Sequence, residues 1–274
     1  MQILRSLASA FVAIGLVLVQ SGCSNSSDND QPQPHVMPIV FVHGQSGSAQ
    51  QFETQAMRFT SNGYPQEMLF AFEYNTALSE NPIAALDAFI DTVLAQTGAE
   101  QVYAVGHSRG TFVWTSYLDD PAFSGPDKVA RYVNIDGRAP EELPGGVPTI
   151  GIWGEWNTAN SGYNLSDDNS NSQIGPDPAS NFHFPDKSHT ETATAAETFA
   201  LMYEFLTGVA PTTTAVLPSR SGKVKVAGRA VFFPENLGYA GTTLQAWELE
   251  AETGHRLAAE PFASFTIGES GALG

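Results

Sequence analysis

The chain has 274 residues, 42% of them apolar and 15% charged, which gives it enough apolar material for a full core and excludes general disorder. Its formal net charge of −17, from 29 acidic and 12 basic residues, repels phosphate backbones and excludes nucleic acid as a partner. A single cysteine, Cys23, excludes an intrachain disulfide and a cysteine-ligated zinc.

Residues 1–23 carry the parts of a secretory signal. Arg5 ends a short n-region, Leu7 to Val19 form an apolar run, and Gln20-Ser21-Gly22-Cys23 follow. The run is too short for a comfortable membrane span. Small residues directly before a cysteine resemble a bacterial lipoprotein cleavage box, with Gln20 in the place of that box's usual apolar residue. The expectation is an exported protein held on a membrane through a lipidated Cys23, periplasmic or at the cell surface, and otherwise secreted. Residues 24–36, mostly SNSSDNDQPQP, read as a polar tether that can bury nothing.

From there strands and helices alternate, without a fixed-period repeat. Pro38 to Val42 is a solid apolar run of buried-strand length, and Ala49 to Asn62 has helical spacing of Phe52, Met57 and Phe59. Strand Met68 to Phe72, helix Ile83 to Gln96, strand Gln101 to Val105 and helix Thr111 to Leu118 follow. Strands Arg131 to Ile135 and Thr149 to Trp153, a loop to Pro178, strand Asn181 to Phe184 and helix Thr192 to Leu206 complete the series. Strands joined by helical crossovers predict an α/β fold: a mostly parallel sheet flanked by helices, over residues 37–210. Pro211 to Pro218 reads as a linker. Beyond it, alternating strands such as Lys223 to Phe233 and Thr243 to Glu250 predict a small β-rich domain within 211–274.

Gly106-His107-Ser108-Arg109-Gly110 carries the strongest chemical signal, because it follows a strand and opens a helix. A G-x-S-x-G elbow in that setting lifts a serine hydroxyl over the sheet edge at a helix N-terminus. Glycines two residues to either side are needed because the turn is too tight for side chains. His43-Gly44-Gln45-Ser46-Gly47, directly after the first strand, offers backbone N–H groups to a substrate oxygen. The two donors of an oxyanion hole would then be Arg109, after the nucleophile, and Gln45. His43 reads as a hydrogen-bonding scaffold residue. A base placed downstream of the serine is one of His183, His189 and His255, and His189 has the loop setting that a base requires. For the acid, spacing leaves two candidates at strand ends, Asp136 and Glu155.

Taken together, Pro38-Ile39-Val40-Phe41-Val42-His43-Gly44, the following SGSAQQFETQAMRFTSNGYP, the elbow, Ile135-Asp136-Gly137 and AAETFALMYEFLTG resemble a group of archaeal and bacterial lipases. These have an α/β-hydrolase domain followed by a C-terminal β domain, and the resemblance runs over about residues 37–265. It implies Ser108 as nucleophile, Asp136 as acid, His189 as base, and the N–H groups of Gln45 and Arg109 as oxyanion hole. Two departures stand out. The group's long helical lid insertion is missing, since only a few residues separate Tyr74 from the helix near Asn81. The tail is also much shorter than the group's β domain, so an incomplete C-terminal domain is expected.

The implied activity is a serine carboxylic-ester hydrolase, of lipase or esterase type, acting on short-to-medium acyl esters or acylglycerols. A polyester or thioester hydrolase with the same triad is an alternative, and a catalytically silent surface binding protein is another. No cofactor or metal is required. Ser166 to Asn171 is rich in oxygen ligands, but it lacks the glycine and late glutamate of a calcium loop and reads as solvated. Trp153, Trp156 and Phe182 could line an acyl pocket or belong to the core.

Overall fold

The computed structural model describes residues 34–154, Ile174, 180–218 and 228–273. The chain divides into two compact units, Met1–Pro32 and Gln33–Gly274, and every described residue lies in the second. Cys23, most of the tether, Glu155, Trp156 and the Ser166 to Asn171 segment lie outside the described residues. Among the described residues no helix is long and apolar enough to cross a membrane.

Six parallel strands form the main sheet: β1 (Ile39–Val42), β2 (Leu69–Phe72), β3 (Val102–His107), β4 (Val129–Ile135), β5 (Thr149–Gly154) and β6 (Asn181–Phe184), in the order β2-β1-β3-β4-β5-β6. The unbroken apolar run of β1 follows from its place in this order, because both of its faces are covered. Ile39 and Phe41 point to one layer, with Phe59 of α1 (Glu53–Ser61) and Phe199, Met202 and Leu206 of α6 (Ala196–Thr207). Val40 and Val42 point to the other, with Leu86 and Ile90 of α2 (Ile83–Thr97) and Trp114 and Tyr117 of α3 (Arg109–Asp119). Phe59 meets Phe199 edge-on at 5.2 Å, a favourable arrangement for two ring quadrupoles.

The alternation read from the sequence therefore holds, with local differences. The first predicted helix opens with a 3-10 turn, Ala49–Phe52, before α1. A short helix, α4 (Gly125–Lys128), precedes β4. The single helix expected over 192–206 is two, α5 (His189–Thr194) and α6, broken at Ala195, whose backbone is extended (φ −63°, ψ 151°). Side chains of α1 compensate the break: Gln55 Nε2 donates to the carbonyls of Ala193 (2.8 Å) and Ala195 (3.2 Å), and Arg58 to that of Thr194 (2.6 Å). Thr198 Oγ1 takes the Thr192 carbonyl at 2.6 Å. Carbonyls freed from the helix ladder are thus not left unpaired in the interior.

The described C-terminal residues form three small antiparallel pairs; Lys223 to Ala227 of one expected strand lie outside them, and the other, Thr243 to Glu250, is shorter than expected. β7 (Gly228–Arg229) pairs with β12 (Ala272–Leu273), β8 (Val231–Phe232) with β9 (Leu237–Gly238), and β10 (Thr243–Ala246) with β11 (Ala263–Thr266). Pro234 cannot donate to a ladder, so the predicted strand ending at Phe233 becomes the first arm of a hairpin.

Candidate active site

Because the strands are parallel, their C-terminal ends lie on one edge, and the residues singled out by the sequence gather there. Ser108 occupies the turn between β3 and α3 with φ 52° and ψ −120°, a backbone conformation that costs a non-glycine residue on the order of 1–3 kcal/mol. Neighbours fix it. Ser108 N–H donates to the Ile135 carbonyl at 3.0 Å, and the Ser108 carbonyl accepts from Thr111 N–H (3.0 Å) and Thr111 Oγ1 (2.7 Å). The flanking glycines are required by contact: a Cβ on Gly110 would lie 2.1 Å from the Val42 carbonyl oxygen, and one on Gly106 2.9 Å from Trp114 Cδ1. Helix α3 starts at Arg109, two residues earlier than the expected Thr111, so the elbow runs straight into it.

Asp136 ends β4, also at positive φ (49°) and almost fully buried. One carboxylate oxygen accepts the Gly154 N–H at the end of β5 (3.1 Å); the other lies 2.6 Å from His189 Nδ1. A histidine that donates from Nδ1 to a carboxylate presents its Nε2 lone pair. His189 is the first residue of α5, one position inside the helix rather than in the preceding loop, behind a reciprocal Ser188–Glu191 capping box. His183 lies in β6, its ring stacked on Trp153 at 5.3 Å, and His255 is exposed in the C-terminal segment. Of the two carboxylates left open by spacing, the structure brings Asp136 to His189, whereas Glu155 is outside the described residues.

The loop after β1 backs onto the serine. A Cβ on Gly44 would lie 2.9 Å from Ser108 Cβ. Among the described residues, neither the Gln45 nor the Arg109 backbone N–H meets an acceptor. The side chains of these two residues do meet: Arg109 donates to Gln45 Oε1 (2.6 Å) and to the carbonyls of Thr76 (3.1 Å), Leu78 (2.7 Å) and Glu80 (2.9 Å). The guanidinium thereby pins the short connection that stands where the resembling lipases insert a lid.

Two residues that sequence reasoning passed over tie this edge together. Gln51 accepts the Gly44 N–H (3.3 Å) and donates to His107 Nδ1 (2.5 Å); His107 Nε2 then donates to the His189 carbonyl (2.9 Å), with the two imidazoles 4.5 Å apart. His107 was visible as the residue before the elbow serine, but nothing local signalled a partner as distant in sequence as Gln51. His107, Asp136 and His189 hold their ligand atoms within 4.8 Å of one another, close enough for a metal ion. Both His107 nitrogens and both Asp136 oxygens are already engaged, however, which fits an imidazole-orienting network and not a coordination sphere.

Residues 36–117 match the lipase (class 2) family, and residues 222–274 match the lipase C-terminal domain. These two matches, with the parallel sheet flanked by helices, make the chain similar to lipase-type α/β-hydrolases with a C-terminal domain. The first match supports carboxylic-ester hydrolysis as the activity class. Similar solved structures include the lin2722 gene product of Listeria innocua (14% identity, 66% of this chain and 97% of that one, TM-score 0.45). A predicted CIB-like hydrolase from Thermoplasma acidophilum is 17% identical over 62% of this chain and 86% of that one, TM-score 0.45. The Bacillus licheniformis lipase BlEst2 in propeptide form is 24% identical over 40% and 24%, TM-score 0.34.

Burial pushes the His107 imidazole down from 6.5 to about 3; the neighbouring His189 ring adds to this, and the hydrogen bond to the His189 carbonyl opposes it. The native protein keeps this ring neutral, while the unfolded chain takes up a proton near the ordinary value; below it the unfolded state binds more protons. Stability is therefore lost as pH falls from 6.5 towards 3. The loss should be on the order of 2 kcal/mol between about pH 7 and pH 5. Urea denaturation across that range should show this slope in the wild type and a flatter one in His107→Asn; equal slopes would assign the proton uptake to other groups.

Proposed function

We propose that this hydrolase cleaves carboxylic esters through an acyl-enzyme on Ser108. The observation that carries the reading is the 2.6 Å contact of His189 Nδ1 with Asp136 on the strand edge that also bears the strained Ser108 turn. In the first half-reaction a bond forms between Ser108 Oγ and the carbonyl carbon, while the hydroxyl proton moves to His189 Nε2. Asp136 holds the imidazole and stabilises its charged form. The carbonyl electron pair moves onto oxygen, where the backbone N–H groups of Gln45 and Arg109 receive it, each such donor contributing ~3 kcal/mol in the transition state. Collapse breaks the bond to the alcohol oxygen, which leaves with the proton from His189. Water, deprotonated by the same imidazole, repeats the attack and frees the acid.

If nucleophile and base act as a unit, Ser108→Ala and His189→Ala should each abolish ester turnover to a similar degree, with little further loss in the double variant. Asp136→Asn should lose as much or less with the fold retained. Near wild-type turnover in Ser108→Ala would remove the acyl-enzyme from the mechanism.

The pinned connection from Thr76 to Glu80 supports a site already open to solvent, and with it short-to-medium acyl esters as substrates. Rates on nitrophenyl esters should peak at about four to ten acyl carbons, each buried CH₂ adding ~0.8 kcal/mol until the groove ends. With tributyrin they should saturate smoothly through the solubility limit; a sharp rise at droplet formation would mean that another segment covers the site in water.

Export and anchoring belong to the same reading: the signal-like residues 1–23 and the cysteine that ends them support a lipid anchor at Cys23. Cys23→Ala should move activity from the detergent phase to the aqueous phase, and unchanged partitioning would refute the anchor.

A further inference from the structure

The C-terminal segment reaches the loop that follows β1. In the hairpin between β8 and β9, Asn236 sits at φ 59° and is 4% exposed. Its amide nitrogen faces three acceptors: Glu73 Oε1 at 2.8 Å, the Gly47 carbonyl at 2.9 Å and the Tyr74 carbonyl at 3.1 Å. Three acceptors fix which end of the carboxamide points inward, because an oxygen there would meet only other oxygens. The Asn236 amide therefore bridges the ends of two loops that are adjacent in space, one after β1 and one after β2. The same hairpin adds a second anchor, since the Pro234 carbonyl accepts from Thr76 N–H (3.2 Å) and Thr76 Oγ1 (3.0 Å).

These contacts converge on the backbone carrying Gln45. Glu73, besides accepting from Asn236, accepts the Ala49 N–H (3.2 Å), pairs with Arg229 (3.3 Å) and lies 2.8 Å from His43 Nε2, which is poorly aligned for a hydrogen bond. His43 is stacked on Tyr74 at 4.5 Å, and Tyr74 Oη donates to the His43 carbonyl at 2.9 Å. The Thr76 carbonyl in turn receives the Gln45 side chain at 2.6 Å. Gly44 to Gly47 is thus clamped at its start by Gln51 and the His43 packing, and at its end by Asn236. An exposed glycine-containing loop with a positive φ at Ser46 (54°) has no regular ladder to hold an N–H in one direction, so the clamp supplies that direction.

We propose that Asn236 is a positioning residue: through the Gly47 carbonyl and Glu73 it holds the loop in the one conformation that aims the Gln45 N–H at the developing oxyanion, making turnover dependent on the C-terminal segment. The inference rests on the oxyanion role proposed above for Gln45. A donor that is misplaced and not deleted weakens a contact made mainly in the transition state, so the loss falls on kcat and leaves KM nearly unchanged.

Asn236→Gly tests this in the full-length protein, because glycine accepts the positive φ without strain and removes only the amide. Leu237→Ala, an exposed neighbour on the same hairpin, is the control. Active sites are counted by fluorophosphonate labelling, so that turnover is expressed per competent molecule, and thermal midpoints are recorded alongside. The expected result for Asn236→Gly on nitrophenyl butyrate is a kcat per site lowered about tenfold to a hundredfold, KM within about twofold, and a fluorophosphonate reaction rate lowered in parallel, while Leu237→Ala matches the wild type. An Asn236→Gly variant with a lower midpoint but wild-type kcat per site would overturn the proposal, leaving the residue a purely structural tie. A loss confined to KM would overturn it as well. Ser108→Ala reads the underlying mechanism separately: if that variant is inactive and Asn236→Gly is normal per site, only the positioning role fails.

Discussion

The whole candidate site depends on one steric constraint, the approach of the start of α3 to the end of β1. Gly110 comes so near the Val42 carbonyl that no side chain fits between them, and this contact forces the chain to leave β3 and enter the helix within one residue. Ser108 absorbs the reversal at φ 52°. A turn of this kind persists only where its surroundings over-determine it. Here they do so from both sides, because Trp114 of α3 is fully buried, with its indole N–H on the Val105 carbonyl at 3.1 Å, while β4 takes the serine N–H. Removing an aromatic side chain of that size from a packed core costs about 3–5 kcal/mol, which exceeds the on the order of 1–3 kcal/mol of strain at the turn. Packing on the helical face thus holds the serine in place.

From the turn, order spreads sideways through polar links rather than apolar ones. Strand ends contribute backbone groups to their neighbours' candidate residues: β4 gives the Ile135 carbonyl to Ser108, and β5 gives the Ile152 carbonyl and the Gly154 N–H to Asp136. Gln51 and His107 then connect the loop after β1 to the first residue of α5. Water is largely excluded around Asp136 and His107, so an unpaired group in this chain would be costly, and a fully paired one is correspondingly rigid. A neutral His107 suits that role. It links a carbonyl to an amide without placing a charge beside His189.

What could be read from the sequence is what the chain encodes within a few residues. The apolar run of β1, the spacing of glycines about Ser108 and the aspartate at the end of β4 each owe their form to local geometry, and the structure has them where the pattern put them. The break at Ala195 was hidden for the opposite reason: the groups that satisfy its freed carbonyls, Gln55 and Arg58, belong to α1. Periodicity describes one segment's own preference and is blind to a distant side chain that competes for its backbone. Asn236 was hidden in the same way. In sequence it is an ordinary hairpin asparagine at positive φ, and only the fold reveals that its amide meets Glu73, 163 residues away. The C-terminal strands came out short because the tail lacks the two-sided cover that makes β1 conspicuous: along β10 exposed and half-buried residues alternate, and β11 is exposed except at its first residue.

Arg109 joins a proposed backbone role to an observed side-chain one. Beside a proposed oxyanion hole, a free guanidinium would attract any carboxylate in reach, including the acid released by the reaction, and product would then leave slowly. In this structure its side chain donates to four acceptors, three of them backbone carbonyls of the short connection after β2, and it lies 5.5 Å over the Tyr74 ring. Most of its donor capacity is directed away from the serine. The same bonds do for the connection what a helical insertion would otherwise do for itself, by satisfying carbonyls that have no ladder partner. With a guanidinium in that role, a connection of a few residues is sufficient to close the fold beside Gln45.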